Sequence, residues 1–133
     1  MASIFTRIIK GEIPSYKIAE DENFYAFLDI NPLKKGHILV VPKKETDYLF
    51  DMEDNLLGDM MIFAKKVAKA IEKVIPCKRI GVAVLGLEVP HAHIHLIPIQ
   101  GGNDIDFSKA KLKMTTEEFK EIAQKITAAF LIV

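Results

Sequence analysis

The chain has little with which to brace or anchor itself from outside. It carries one cysteine, Cys77, in 133 residues, which rules out an intrachain disulfide framework and a cysteine-rich zinc site and suits a reducing compartment. No apolar run approaches the ~20 residues of a membrane-spanning helix. Near the start, Ile4, Ile8 and Ile9 are interrupted by Arg7 and Lys10, which is not the pattern of a secretory signal. Net charge is missing as well: 18 Lys and Arg balance 18 Asp and Glu, so no bulk field draws the chain to nucleic acid or to a membrane surface. Internal repeats, linkers and low-complexity stretches are absent. What is present is ordinary globular material, 50% hydrophobic and 27% charged. The expectation is one soluble, cytoplasmic domain over residues 1–133, large enough for its own core.

Patterning then divides the chain. Residues 3–10 suit a short helix, with Ser3 as cap, Phe5, Ile8 and Ile9 at helical spacing and Gly11 as the stop. A strand at Tyr16–Ala19 and another at Phe24–Ile30 flank the turn residues Asp21-Glu22-Asn23. In the second, Tyr25, Phe27 and Asp29 share a face opposite Phe24, Ala26 and Leu28. A strand at His37–Val41 follows, with His37, Leu39 and Val41 on one face. Residues 54–75 form the longest helix, with an apolar stripe that includes Leu57, Met60, Met61, Ala64, Val67 and Ile71. Arg79–Leu85 and the stretch from Val89 to Pro98 read as an antiparallel hairpin with a short turn. A last helix, about 115–131, opens on Thr115 with Glu118 as a capping box. The order predicts an α+β domain with an antiparallel sheet of about five strands. Gln100-Gly101-Gly102-Asn103-Asp104 lacks the spacing and setting of a phosphate-cradling loop.

Three of the four histidines fall in one short segment, His91-Ala92-His93-Ile94-His95. On a strand, alternate residues share a face, so the imidazoles would line one side while Ala92, Ile94 and Leu96 enter the core. A metal site is one reading, using His91 and His93 with Glu88 as a candidate further ligand. It is the less favoured: His91 and His95 would lie ~13 Å apart along a straight strand, and no second ligand cluster is evident. The other reading is phosphoryl or nucleotidyl transfer. Neutral imidazole is a good nucleophile toward phosphorus and carries protons near neutral pH, with no metal or cofactor demanded.

The residues resemble the histidine triad (HIT) family, in the branch of histidine-triad nucleotide-binding proteins. His91-Ala92-His93-Ile94-His95-Leu96-Ile97 has the form of its signature. Ile4-Phe5-Thr6-Arg7-Ile8-Ile9-Lys10-Gly11-Glu12-Ile13-Pro14, Phe27-Leu28-Asp29-Ile30-Asn31-Pro32 and Gly36-His37-Ile38-Leu39-Val40-Val41-Pro42-Lys43 resemble its other blocks, in family order over residues 4–98. The resemblance implies an α+β homodimer that binds purine nucleotides. It also implies cleavage of nucleoside phosphoramidates or related nucleotidyl compounds, such as dinucleoside polyphosphates, with release of a nucleoside monophosphate. His93 would be the nucleophile on the α-phosphate. His91 and His95 would flank it, binding phosphate and assisting the leaving group, and His37 would complete the imidazole set. Asp29 would hold ribose hydroxyls, and Phe5, Ile8, Ile13, Phe27 and Ile30 would form the base pocket.

One turn departs from the family pattern. Where an Asn and a Gly-Gln followed by a hydroxyl residue are expected ahead of the first triad histidine, this chain has Leu85-Gly86-Leu87-Glu88-Val89-Pro90. A carboxylate beside phosphate repels unless it is paired, protonated or turned away. That turn keeps a second reading open, a nucleotide-binding regulatory module with little catalysis. The helix after residue 110 lies outside the matching blocks.

Overall fold

The computed structural model describes residues 2–133. Helix α1 (Ile4–Ile9) starts where Ser3 accepts the N–H of Thr6, and Gly11 at φ 79° closes it. Strands β1 (Lys17–Glu20) and β2 (Phe24–Leu28) follow. Their turn is set by Asp21, whose carboxylate accepts the N–H groups of Asn23 and Phe24, each at 2.8 Å. β3 (Ile38–Pro42), α2 (Asp54–Val74), β4 (Arg79–Ala83), β5 (Ile94–Ile99) and α3 (Thr116–Phe130) complete the order. Short 3₁₀ turns lie at Leu49–Asp51 and Gly102–Asp104. The Thr115–Glu118 capping box opens α3 as expected. No described helix is long and apolar enough to cross a membrane.

The sheet runs β1-β2-β3-β5-β4 with every neighbouring pair antiparallel, which makes this an α+β fold with helices packed on an open sheet. Alternation sorts the two faces. Phe24, Ala26, Leu28, Ile38, Val40, Ile94 and Leu96 join α2 and α3 in the main core. Tyr25, Phe27, Leu39 and Val41 face the other way and pack with Phe5 and Ile8 of α1 in a smaller cluster. A short helix cannot cover a whole sheet face, so part of this second face stays open.

Three local expectations are corrected. The β4–β5 connection spans residues 84–93 rather than a tight turn, because β4 ends at Ala83 and β5 begins only at Ile94. His91 and His93 therefore precede the strand, and only His95 lies in it. β2 stops at Leu28, leaving Asp29 just past the strand. On α2, Phe63 and Ala70 are buried while Met61 is 49% exposed. Met61 sits 100° around from Met60, off the stripe that meets the sheet. Gly36 needs its left-handed φ of 87°, and a Cβ there would come within 2.9 Å of Ile75 Cγ1; this tight passage delivers His37 to β3.

Candidate functional site

On the open face, α1, the end of β2, the start of β5 and the loops around them enclose a cavity of about 460 Å³, within the range of small-molecule sites. Its apolar wall comes from Phe5, Ile8, Ile13, Phe27 and Leu39, with Ile30 at the rim. Asp29, His37, His93 and His95 add the polar groups. Every residue expected to form the base pocket or the acid position is thus brought to one cavity. His91 is the exception. Its ring is 0% exposed against 8% for His93 and His95, and it does not line the cavity.

Hydrogen bonds fix where the ring protons sit, because backbone carbonyls only accept and backbone N–H groups only donate. His93 Nδ1 lies 2.8 Å from the carbonyl of His91. Nδ1 must therefore carry the proton, leaving Nε2 with a free lone pair; no other protein group bonds it among the described residues. His37 Nδ1 accepts the N–H of Leu33 at 3.0 Å, so its proton sits on Nε2. That N–H donates to His95 Nδ1 at 2.9 Å. His95 must then carry its own proton on Nε2. Neighbouring imidazoles, with ring centres 5.0 Å apart, are thus set in opposite senses: His93 with a bare Nε2, His95 with an Nε2–H donor.

Burial keeps His37, His95 and His91 neutral. Desolvation first, then the neighbouring His95 and Lys111, push His37 down from 6.5 to about 3. Desolvation and the neighbouring His93 push His95 down to about 4. His91 is lowered as well, chiefly by desolvation. Burial raises the Asp29 carboxyl above its ordinary value, against the bond from the N–H of Asn31.

Asp29, His37 and His95 place possible metal-ligating atoms within 4.8 Å of one another, a spacing a cation could fit. The donor chemistry does not fit. A ligating histidine normally donates its other ring N–H to an acceptor, whereas His37 Nδ1 faces the backbone N–H of Leu33. Nε2 could bind a metal only as part of an anionic ring. The cluster is a hydrogen-bond relay. The alternative set of His91, His93 and Glu88 is not assembled either, because both His91 nitrogens are engaged, with Ser3 Oγ and the Pro42 carbonyl. Glu88 lines the cavity rim as an exposed residue, so solvent relieves the repulsion its charge would otherwise impose.

Some of the site was missed in the sequence. Phe107 packs on His95 with centroids 4.8 Å apart and on His37 at 6.4 Å. Lys111 lines the same cavity, its ammonium held by the carbonyls of Phe107 and Lys109 at 2.6 and 3.0 Å. Both sit in an irregular segment with no periodic signal; their order comes from a long-range bond, Leu112 N–H to the Pro32 carbonyl at 2.8 Å.

Fold and site define a class: an open-sheet α+β domain whose uncovered face carries an apolar cavity floored by imidazoles of fixed tautomer. The HIT domain model matches residues 10–102, and the chain belongs to the histidine triad family. It is 44% identical over 98 residues to the adenosine 5′-monophosphoramidase HNT1 of Saccharomyces cerevisiae, covering 73% of this chain and 62% of that protein. It is 34% identical over 131 residues to the adenosine 5′-monophosphoramidase of Schizosaccharomyces pombe, covering 96% and 98%. Among solved structures, a HIT-like protein of Bartonella henselae, described as involved in cell-cycle regulation, superposes with a TM-score of 0.82. That pair shares 36% identity and covers 96% of this chain and 95% of the other.

Proposed function

We propose that the protein is a nucleotide hydrolase or transferase that cleaves nucleoside phosphoramidates through a nucleotidyl intermediate on His93. The observation that carries this reading is the bare Nε2 of His93 in the cavity, enforced by the 2.8 Å bond from its Nδ1 to the His91 carbonyl. The two monophosphoramidase relatives support the choice of substrate.

A purine base would enter the slot of Phe5, Ile8, Ile13 and Phe27, with Ile30 at its edge, and the ribose hydroxyls would bond to Asp29. The α-phosphorus then meets His93 Nε2. As the N–P bond to His93 forms, the bond to the leaving nitrogen breaks, and that nitrogen takes a proton from water. The ring becomes cationic, and its Nδ1–H bond to the His91 carbonyl grows stronger. His95 offers its Nε2–H to a phosphoryl oxygen as charge builds. Because His95 is neutral, its role is to donate a hydrogen bond rather than to act as a strong acid. Water next attacks phosphorus, His93 leaves with its electron pair, the proton borrowed earlier is returned, and the nucleoside monophosphate departs.

His91 serves this scheme from behind, through its carbonyl, rather than by touching phosphate. The same reading includes a homodimer. β4 forms a sheet edge, and Val82, Leu85 and Leu87 on and after it are 52, 53 and 88% exposed, an apolar edge that a second copy would cover.

Adenosine phosphoramidate is the decisive substrate. Intact-protein mass spectrometry during turnover should show an adenylyl adduct that maps to His93 and is absent from His93→Ala. Nucleotide binding without adduct, and with turnover no greater than that of His93→Ala, would sink the enzyme reading in favour of a regulatory module, the outcome that the Leu87-Glu88 turn would then explain.

A further inference from the structure

A group of polar residues outside the cavity has no part in the scheme so far. It lies behind His91. The His91 Nε2–H donates to the Pro42 carbonyl at 2.8 Å, which leaves Nδ1 bare, and Ser3 Oγ donates to it at 2.6 Å. Ser3 Oγ also caps α1 by accepting the N–H of Thr6 at 3.1 Å. Glu45, just past β3, accepts the Ser3 N–H and the Thr6 hydroxyl on one oxygen, each at 2.6 Å. Those two bonds, the Thr6 hydroxyl first, hold its carboxyl down to about 2. Three separated segments are closed into one hydrogen-bonded clasp around His91.

The clasp reaches the nucleophile by two routes. The His91 carbonyl sets the His93 tautomer. Phe5 of α1 packs edge-on against the rings of both His91, at 5.7 Å, and His93, at 5.0 Å. The same helix supplies Phe5 and Ile8 to the cavity wall.

We propose that Ser3 and Glu45 are positioning residues. Through His91 and α1 they hold the His93 ring in its Nδ1–H form, aimed at the cavity, and they tie the base-contacting wall to the nucleophile. The role in turnover rests on His93 being the nucleophile; the role in holding the ring does not.

Helix capping alone would not require this arrangement. A cap needs only an acceptor, and glycine at this position is only slightly worse than serine. Donation to His91 needs the hydroxyl. Ser3→Gly therefore separates the two roles, and Ser3→Thr keeps both. Long-range ¹H–¹⁵N spectra of the imidazoles report the tautomers directly. The wild type should show single forms, Nε2–H for His91 and Nδ1–H for His93. In Ser3→Gly the His93 pattern should become a mixture, and kcat on adenosine phosphoramidate should fall about tenfold with KM changed far less; Ser3→Thr should restore both. Glu45→Ala, at an exposed position, loosens Ser3 from the other side and should act in the same direction, which keeps the test open if Ser3→Gly folds poorly. A His93 ring spectrum identical to wild type in both Ser3→Gly and Glu45→Ala overturns the clasp, whatever the turnover. A clasp-dependent spectrum in a protein that never turns over or forms an adduct overturns the catalytic reading instead.

Discussion

His37, His91 and His95 show how single residues couple the site to stability. Each is buried neutral, with its pKa shifted downward mainly by desolvation. In the unfolded chain all three would protonate near the ordinary value of 6.5. Below that pH the unfolded state binds more protons than the native state, so stability falls as pH falls. It continues to fall until the native rings titrate, near 4 for His95 and 3 for His37. At pH 5, His37 and His95 should each cost about 2 kcal/mol relative to pH 7.5. Asp29, whose pKa is shifted upward by burial, opposes this in part, since its charged form is the one burial disfavours. Urea unfolding at pH 7.5 and 5.0 should show the loss, and replacing His37 with Asn should shrink it. Equal unfolding free energies at the two pH values would contradict the buried neutral relay.

At the scale of elements, the segment between the 3₁₀ turn at Gly102–Asp104 and α3 matters more than its irregular form suggests. It lays Phe107 against the relay and brings Lys111 into the cavity lining. With His37 and His95 neutral at pH 7, Lys111 is the one lysine or arginine among the residues that line the cavity, where Asp29 and Glu88 are the carboxyl groups. A nucleotide phosphate entering there adds further negative charge, so the ammonium favours its retention. Lys111→Ala should raise KM for adenosine phosphoramidate about tenfold while leaving kcat within about twofold. Steady-state kinetics would check this, and an unchanged KM would place the ammonium's role in bracing its own loop through the carbonyls of Phe107 and Lys109.

For the molecule as a whole, one uncovered feature is the β4 edge. The rest of the sheet is capped by α2 and α3 on one face and partly by α1 on the other. Val82, Leu85 and Leu87 are left in water. An apolar, unpaired edge invites pairing with another strand. In a homodimer, the second copy's β4 would extend the sheet through the interface and bury these residues. Light scattering behind size-exclusion chromatography should give about twice the 15.0 kDa chain mass. Charged substitutions at Val82 and Leu85 should shift the protein toward monomer. A monomer across micromolar concentrations in the unmodified chain would remove the dimer from the proposal.

Much of this architecture was legible in the residues. The period-two alternation already assigned Phe24, Ala26 and Leu28 to one face of β2 and Tyr25 and Phe27 to the other, and grouped Leu39 with Val41 in β3, because burial on a pleated surface imposes that repeat. Caps at Ser3 and Thr115 are local chemistry, readable within four residues. The histidine spacing and the acid at Asp29 singled out residues of which all but His91 line one cavity. Alternation could not show that the strand begins only at Ile94, so that His91 turns away from the cavity to Ser3 and Pro42. Nor could it supply ring tautomers, which depend on how the folded backbone sets the Leu33 N–H and the His91 carbonyl against nearby rings and on long-range bonds from His91 to Pro42 and from His37 to His95. Glu45, Phe107 and Lys111 enter the site environment by folding alone. Sequence determined which residues alternate, cap and carry reactive groups, since those depend on neighbours along the chain. Tertiary structure decided which nitrogen holds each proton and which outlying side chains converge, since those depend on neighbours in space.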